Sequence, residues 1–176
     1  MSDARDLVRR EMGLLERIAS YIPGYRGYKE KELRREADAL VRRRAAEHLR
    51  GAKAALSRPL PPSRMRAIAS DRDLSFGLEE VRNLLDRVTS RIDKAVHGYA
   101  GLFDAVKVRE ERLDAVYQHD LKLIEKAAEI ERMVSDFPSL EPEQMRQRLQ
   151  ELRRACAELD AMVDERSMLL RGLTEV

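Results

Sequence analysis

The residues that could carry chemistry in this chain are few and widely spaced. The sequence holds three histidines, His48, His97 and His119, and a single cysteine, Cys156. Metal sites inside helical bundles use Glu-x-x-His pairs together with further carboxylates, and none of the three histidines has Glu three residues before it. The sequence therefore predicts no metal site. Asp93 and His97 are four residues apart, a spacing that favours a local hydrogen bond on a helix surface.

Nucleophile and phosphate-binding motifs are missing as well. Cys156 lies among the apolar positions of the last predicted helix, where a thiol acts as a small core side chain rather than as a nucleophile. The sequence contains no Gly-x-Ser-x-Gly, no Walker loop and no Rossmann glycine pattern, the motifs that would indicate hydrolase or nucleotide chemistry. We therefore expect no catalytic residues, no cofactor and no metal ion.

The segment of residues 21–28, Tyr-Ile-Pro-Gly-Tyr-Arg-Gly-Tyr, is the most distinctive in the chain and holds three of its five tyrosines. Pro23 followed by Gly24 predicts a type II turn. The rings could staple the first helix to the second, or the segment could be a partner-binding loop, since Tyr and Arg dominate such surfaces. Its Gly-x-x-Gly spacing also resembles the loop of KH domains, but that fold requires strands. The candidate partner-binding residues here are Tyr21, Tyr25, Arg26 and Tyr28.

The net charge of +2 conceals an uneven distribution. Residues 26–66 carry 13 Lys and Arg against 5 Asp and Glu, whereas residues 101–176 carry 12 against 17. Three interpretations are open. The two regions neutralise each other within one bundle, they meet between copies in an assembly, or the basic region faces an anionic partner.

The basic excess forms one face of the second predicted helix, which runs from about residue 28 to residue 57. At about 100° per residue, five cations project into one sector roughly 100° wide. Guanidinium groups match phosphate oxygens and counterion release favours binding, so nucleic acid and an anionic membrane surface are both candidate partners. Acidic residues interleave, and a solvated face, or one paired with acids in residues 104–165, is the simpler expectation. The five cations are Arg35, Arg42, Arg43, Arg50 and Lys53.

Apolar spacing predicts helices over nearly the whole chain, beginning with one over residues 3–21 and including a short one over residues 63–70. Apolar residues alternate in steps of three and four over residues 78–106 and again over residues 145–173, as in a coiled coil. Arg166 interrupts the second series. No stretch has the β-branched and aromatic composition of a strand.

The sequence does not decide whether residues 74–136 form one helix or two. Gly98 and Gly101 lie within the first apolar series without shifting its phase, although each Gly costs about 1 kcal/mol relative to Ala in a helix interior. Phase continuity favours one helix with a bend over residues 74–136, and the paired glycines favour two helices.

The predicted fold class is all-α, an elongated helical bundle or coiled coil. The same patterns divide the chain into three segments. Residues 1–58 are expected to form a helical hairpin with the Tyr-rich turn and the basic second helix. Residues 59–75 form a Pro-containing linker with a short helix, and the start of this linker is similar to a proline-rich ligand of SH3 domains. Residues 76–176 form long coiled-coil helices that end in an antiparallel hairpin.

These observations predict a non-enzymatic scaffold or adaptor that acts by coiled-coil self-association and partner binding, with a homo-oligomer as the expected assembly. The alternative is binding of a phosphate backbone or an anionic membrane surface through the basic face of residues 34–53. A cytoplasmic location is expected, because a single cysteine suits a reducing compartment, no apolar run approaches the roughly 18–20 residues of a membrane span, and the start is too charged for a signal peptide.

Overall fold

The computed structural model describes residues 2–27, 34–95 and 110–172. Helices account for most of these residues, and no strand occurs among them, which confirms the all-α prediction. The connection between α5 and α6 includes a short 3₁₀ turn, Phe137–Ser139. The helices are α1 (Ser2–Tyr21), α2 (Arg34–Leu56), α3 (Pro62–Ser70), α4 (Arg72–Lys94), α5 (Glu110–Met133) and α6 (Pro142–Gly172).

Local sequence signals set several of the helix ends. Pro62 occupies the first turn of α3 and Pro142 the first turn of α6, positions at which the missing N–H is not needed for a helical hydrogen bond. The carboxylate of Asp71 accepts a hydrogen bond from the backbone N–H of Leu74 at 3.0 Å and so caps α4, as Asp does at many helix starts.

Three sequence predictions fall outside the described residues. The first is the start of the second helix near Tyr28, a candidate partner-binding residue. The second is the bond between Asp93 and His97. The third is the choice between one helix and two over residues 74–136, because α4 ends at Lys94 and α5 begins at Glu110.

Four helices pack as a closed ring, here called the ring helices. Helix α2 packs against α4, α4 against α6, α6 against α5, and α5 against α2. Consequently α2 and α6 occupy opposite corners of the ring, as do α4 and α5. Helix α1 packs against α5 on the outside, and α3 contacts α4 and α6. The helical bundle is thus confirmed, and it takes α2 from the first predicted segment and the other ring helices from the third.

The apolar series of α4 and α6 are buried within this single chain. Each fully buried Leu, Ile or Val side chain contributes roughly 1.5–3 kcal/mol relative to an exposed one, so these two series supply much of the apolar stabilisation of the ring. In α4 the buried residues include Leu78, Val81, Leu85, Val88 and Ile92. In α6 they include Met145, Leu149, Leu152, Cys156, Leu159, Val163 and Leu170.

Helix α5 is buried on more than one side, because it contacts α1, α2 and α6. Leu121, Leu123 and Ile124 point in different directions around the helix, at about 100° per residue, yet each is almost completely buried. The exposed residues Gln118, Lys122 and Glu129 lie on one side of α5, and the other sides carry its buried residues. Helix α5 therefore links the ring to α1.

Candidate functional site

Charged side chains are buried where α2, α5 and α6 meet. Arg166 is only 3% exposed, and its guanidinium donates from Nε to Asp120 Oδ1 and from Nη1 to Asp38 Oδ1, both at 2.7 Å. Asp38 Oδ2 accepts from Arg42 Nε at 2.9 Å. Arg42 Nη1 donates to the backbone carbonyl of Asp93, in α4, at 3.4 Å. The side chains of Asp38, Arg42, Asp120 and Arg166, the buried ionic network, therefore contact all four ring helices.

The buried ionic network balances two carboxylates against two guanidinium groups. Its members lie almost entirely out of water, and deleting one partner of such a group costs about 3–5 kcal/mol because the other charge is left buried. The sequence marks one member, since Arg166 interrupts an apolar series. The spacing of Asp38 and Arg42, four residues apart, was a second available signal. Asp120 offered none, because nothing in its neighbourhood distinguishes it from a solvated residue.

His119 lies beside the buried ionic network. Burial lowers the pKa of its imidazole, Arg166 lowers it further, and Asp120 and Glu165 oppose the shift. The distance from His119 Nε2 to Glu165 Oε2 is 3.6 Å, too long for a hydrogen bond. At neutral pH the ring is therefore uncharged, as the cost of burying a charged imidazole requires.

A second histidine pairs with a carboxylate between α2 and α5. His48 Nδ1 lies 2.6 Å from Glu131 Oε2. A Cβ on Gly51 would lie 2.0 Å from Glu131 Oε1, so a larger residue here would require the Glu131 carboxylate to move. Gly51 thus allows the close approach of α2 to the Glu131 side chain.

The tyrosine segment packs onto α5. Tyr25 is only 7% exposed, Tyr21 is half-buried and Arg26 is exposed. Tyr25 N donates to the carbonyl of Ile22 at 3.1 Å, and Gly24 has φ 84°, which confirms the predicted type II turn. Tyr25 is therefore part of the core, and among Tyr21, Tyr25 and Arg26 the exposed side chain is that of Arg26.

Gly27 secures the end of the same segment. Its φ is 80°, a left-handed conformation that glycine adopts without a steric penalty. A Cβ at this position would lie 2.6 Å from Tyr117 Oη and 2.9 Å from Leu15 Cδ2. The backbone of Gly27 therefore packs directly against α1 and the hydroxyl of Tyr117 in α5.

The five cations of the predicted basic face have different surroundings. Arg35 and Arg43 are exposed, whereas Arg42 is 9% exposed and belongs to the buried ionic network. Arg50 forms an ion pair with Asp93, and Lys53 forms one with Asp86 at 2.6 Å. These acids lie on α4, outside residues 104–165, the region in which the sequence predicts the acidic partners. The basic face is therefore partly buried and partly neutralised within the chain.

Ion pairs also join α4 to α6. Arg91 of α4 pairs with Asp160 and Asp164 of α6, and Arg153 of α6 pairs with Glu80 of α4 at 2.6 Å. Each such pair near the surface contributes little, about 0–1 kcal/mol. The pair of Arg64 with Glu141 is the kind that the first interpretation of the charge asymmetry requires, because it joins the basic region of residues 26–66 to the acidic region of residues 101–176.

An open groove of about 620 Å³ lies between α1 and α5. Leu14 and Leu121 supply apolar surface and charged side chains supply polar groups, and Met12 beside Gly13 is 57% exposed. We call this feature the α1–α5 groove. Sequence reasoning missed it, because it depends on how α1 lies across α5. Its lining residues are Gly13, Leu14, Arg17, Gln118, Leu121, Lys122 and Glu125.

Two further depressions lie near the groove and the tyrosine segment. One of about 500 Å³ shares Lys122 and Glu125 with the groove and extends to Met162 of α6. The other, of about 290 Å³, is lined by residues of the tyrosine segment and of α2, including Arg26 and Glu36. None of the three cavities is lined by a member of the buried ionic network.

Comparisons with protein-family models, curated proteins and solved structures find no match for this chain. Within residues 2–27, 34–95 and 110–172, no group of three or more His, Cys, Asp or Glu side chains is placed to hold a metal ion. No helix in the same part of the chain combines the length and apolarity that crossing a bilayer requires.

Proposed function

We propose that this chain is a non-enzymatic cytoplasmic scaffold or adaptor, and that its α1–α5 groove binds an amphipathic helix of a partner protein. The groove itself carries the proposal, since it is open along α1 and α5 and its lining sets the apolar side chains of Leu14 and Leu121 among charged residues. Apolar side chains of a partner helix would contact Leu14 and Leu121, and polar side chains at its edges would face Arg17, Lys122 and Glu125. Such helix-in-groove recognition relies on a few apolar anchors spaced three and four residues apart.

The state of the reactive side chains supports a non-enzymatic role. Burial, with a further contribution from Asp160, raises the pKa of the Cys156 thiol to about 11, so the nucleophilic thiolate is scarce at neutral pH. His119 is buried and uncharged, and the carboxylates of Asp38 and Asp120 are bonded to Arg166. These groups hold helices together rather than converging on a cavity.

We infer further that α5 and α6 form the predicted antiparallel hairpin. Residues early in α5 pair with residues late in α6: Arg166 bonds to Asp120, and Lys126 lies 2.6 Å from Glu158. Arg148, near the start of α6, donates to the carbonyl of Met133, at the end of α5. This order of pairing supports opposite helix directions, and the alternation of apolar residues along α6 supports coiled-coil packing between them.

Self-association remains part of the proposal but no longer follows from the apolar series alone. The series of α4 and α6 are buried within one chain, so a second copy would have to bind an outer surface such as the α1–α5 groove. Light scattering on the purified protein measures this directly. A mass of one chain, 20.3 kDa, would limit the function to binding of other proteins.

The partner-binding test uses two substitutions in the groove and one matched control. Leu14→Glu and Gln118→Glu place charge on two residues that line the α1–α5 groove, whereas Met65→Glu alters an exposed apolar residue, 56%, on α3. Proteins captured from a cell lysate by the immobilised parent chain are identified, and one is purified for titration against each variant. We expect Met65→Glu to retain binding and both groove variants to lose it. Equal binding by all three would exclude the groove as the partner site.

The alternative function is binding of a phosphate backbone or an anionic membrane through residues 34–53. Arg35 and Arg43 are its exposed cations, and the ion pairs of Arg50 and Lys53 count against it. A phosphate binder would lose affinity for duplex DNA or anionic vesicles steeply as salt rises, because counterion release drives the association. We expect no binding at low salt. Binding that falls with salt, and that Arg35→Gln with Arg43→Gln abolishes, would favour the alternative.

A further inference from the structure

We propose that the buried ionic network sets the relative axial positions of the four ring helices, and that it contributes conformational specificity rather than stability. The network is the point at which one connected set of hydrogen bonds contacts α2, α4, α5 and α6. This inference does not depend on the proposed partner, because it concerns how the chain selects one arrangement of its own helices.

Arg166 makes the decisive contacts. It reaches from α6 to Asp38 of α2 on the opposite corner of the ring, and to Asp120 of α5 beside it, with 2.7 Å to each carboxylate. A planar guanidinium donates in fixed directions. Moving α6 by one residue would displace the side chain by about 1.5 Å along the axis and rotate it by about 100°. The hydrogen bonds of Arg166 to Asp38 and to Asp120 would both break, so they can form in only one axial position of α6.

Apolar packing alone discriminates poorly between alignments of these helices. The series of α6 repeats in steps of three and four, so sliding the helix by a heptad would bring one apolar residue to the place of another. The hydrophobic effect is non-directional and depends mainly on the buried area. Only the alignment that brings Arg166 to Asp38 and Asp120 satisfies the buried charges, and every other alignment leaves them without partners.

The same energetics predict that the network adds little net stability. Taking four charges out of water opposes their mutual attraction, and apolar side chains of similar volume frequently replace such groups without loss. A single apolar substitution in an otherwise polar cluster has the reverse effect, because it leaves a partner charge buried and unpaired. Specificity and stability can therefore be separated by comparing partial removal of the network with complete removal.

The test replaces all four side chains at once, as Asp38→Leu, Arg42→Met, Asp120→Leu and Arg166→Met. Spin labels on α2 and α6 near the network are introduced by Arg43→Cys and Met168→Cys, both exposed sites, in a Cys156→Ala background. A control pair at the other end of the same helices uses Ala54→Cys and Gln147→Cys, which are also exposed. Pulsed electron paramagnetic resonance measures both interhelical distances with and without the network.

We expect the quadruple variant to unfold at a denaturant concentration no lower than that of the parent, while the distance distribution near the network broadens or splits. A single narrow distribution, unchanged from that of the parent at both pairs, would overturn the proposal, because apolar packing would then suffice to align the helices. Failure of the quadruple variant to fold would also overturn it, since the network would then be required for folding itself.

Arg166→Met alone supplies an independent measurement. We expect it to lower the denaturation midpoint and to accelerate amide hydrogen exchange selectively in residues 38–42 and 113–120, while residues 52–56 stay protected. The selective pattern would reflect loss of alignment at the network end. A uniform acceleration along α2 and α5 would contradict the proposal, because it would mean that the network contributes only to global stability.

Discussion

Side chains that lie close to a glycine backbone set the local limits on substitution in this fold. Gly27 approaches Tyr117, and Gly51 approaches Glu131, but the two neighbours differ in mobility. Tyr117 is fully buried, whereas the Glu131 side chain is 41% exposed and its carboxylate can rotate into water. The loss of folding stability when Ala replaces one of these glycines is therefore expected to depend on how freely the neighbouring side chain can move. It should be larger at Gly27 than at Gly51.

Gly27→Ala is expected to destabilise the protein more than Gly24→Ala. Both glycines have positive φ, 80° and 84°, and each alanine should therefore cost about 1–2 kcal/mol in backbone strain. Gly27 alone adds a clash with Tyr117 and Leu15, since nothing lies within 4 Å of a Cβ at Gly24, and overpacking adds about 1–3 kcal/mol. Urea unfolding of the two variants measures the difference, and equal midpoints would contradict the close packing of Gly27 on α5.

The pH dependence of stability is expected to include a contribution from His119. Burial and Arg166 hold its pKa below the ordinary value of 6.5, so between those two pKa values the unfolded chain binds more protons than the folded chain. The free energy of unfolding is therefore undiminished by His119 above pH 6.5. It decreases as the pH falls from 6.5 towards the folded-state pKa of His119, because the unfolded chain then takes up the proton more readily.

The measurement compares the free energy of unfolding at about pH 7.5 and about pH 5.5, on either side of the usual histidine range. His119→Gln should lower stability at the higher pH and should show a smaller decrease between the two pH values than the parent. Asp120, Glu165 and Arg166 face this imidazole and are unchanged in the variant. If parent and variant decrease equally, His119 is not the group that titrates.

At the scale of helices, the sequence predicts what local chemistry controls. Pro62, Asp71 and Pro142 mark helix starts because capping and proline geometry depend only on neighbouring residues. The interruption at Arg166 is visible, but its partner Asp38 is 128 positions away. No local pattern encodes a contact that forms only when the ring closes. The α1–α5 groove was missed for the same reason.

The helices also differ in how firmly they are held. Helix α1 packs against α5 outside the ring, while each ring helix contacts two others in the ring. Ile18 of α1 is completely buried, but Leu14 and Leu15 are only partly buried and Met12 is exposed. A helix that buries a smaller area of apolar surface needs less free energy to open locally.

Hydrogen exchange should therefore show faster exchange in α1 than in the ring helices under native conditions. Amides of α1 should exchange through local opening, and those in the middle of α4 and α6 only through global unfolding. Gly13→Ala provides a check, because a Cβ there meets no atom within 4 Å and alanine favours helix by up to about 1 kcal/mol. It should slow exchange in α1 and leave α4 and α6 unchanged, whereas equal protection of all helices in the parent would contradict the peripheral position of α1.

At the scale of the whole molecule, charge and apolar packing act together to close the ring. Ion pairs on the outside join α2 to α4 and α4 to α6, while the buried ionic network joins all four ring helices inside. Composition predicted the neutralisation of the basic region as one of three interpretations. The acids that pair with Arg50 and Lys53, Asp93 and Asp86, lie in neither of the two charged regions, so identifying them required knowing that α2 packs against α4.

The single cysteine offers a direct measure of how cooperatively this ring opens. Cys156 is buried in α6, and burial raises the pKa of its thiol to about 11 against an ordinary value of 9.0. Thiol–disulfide reagents react with the thiolate, so in the folded chain both access and ionisation oppose reaction. We expect the labelling rate of the native protein at mildly alkaline pH to follow the equilibrium population of the opened state, because reaction with the thiol is slow relative to reclosing.

Denaturant separates local from global opening in this reaction. If the ring opens as a unit, the rate of Cys156 labelling should rise with urea along the same slope as the equilibrium unfolding curve, because both expose the same surface. Arg166→Met should accelerate labelling in proportion to its loss of stability, although residue 166 lies nearly three turns further along α6. Rapid labelling that does not depend on urea would mean instead that α6 separates from the ring by itself, and the four ring helices would not then form one cooperative unit.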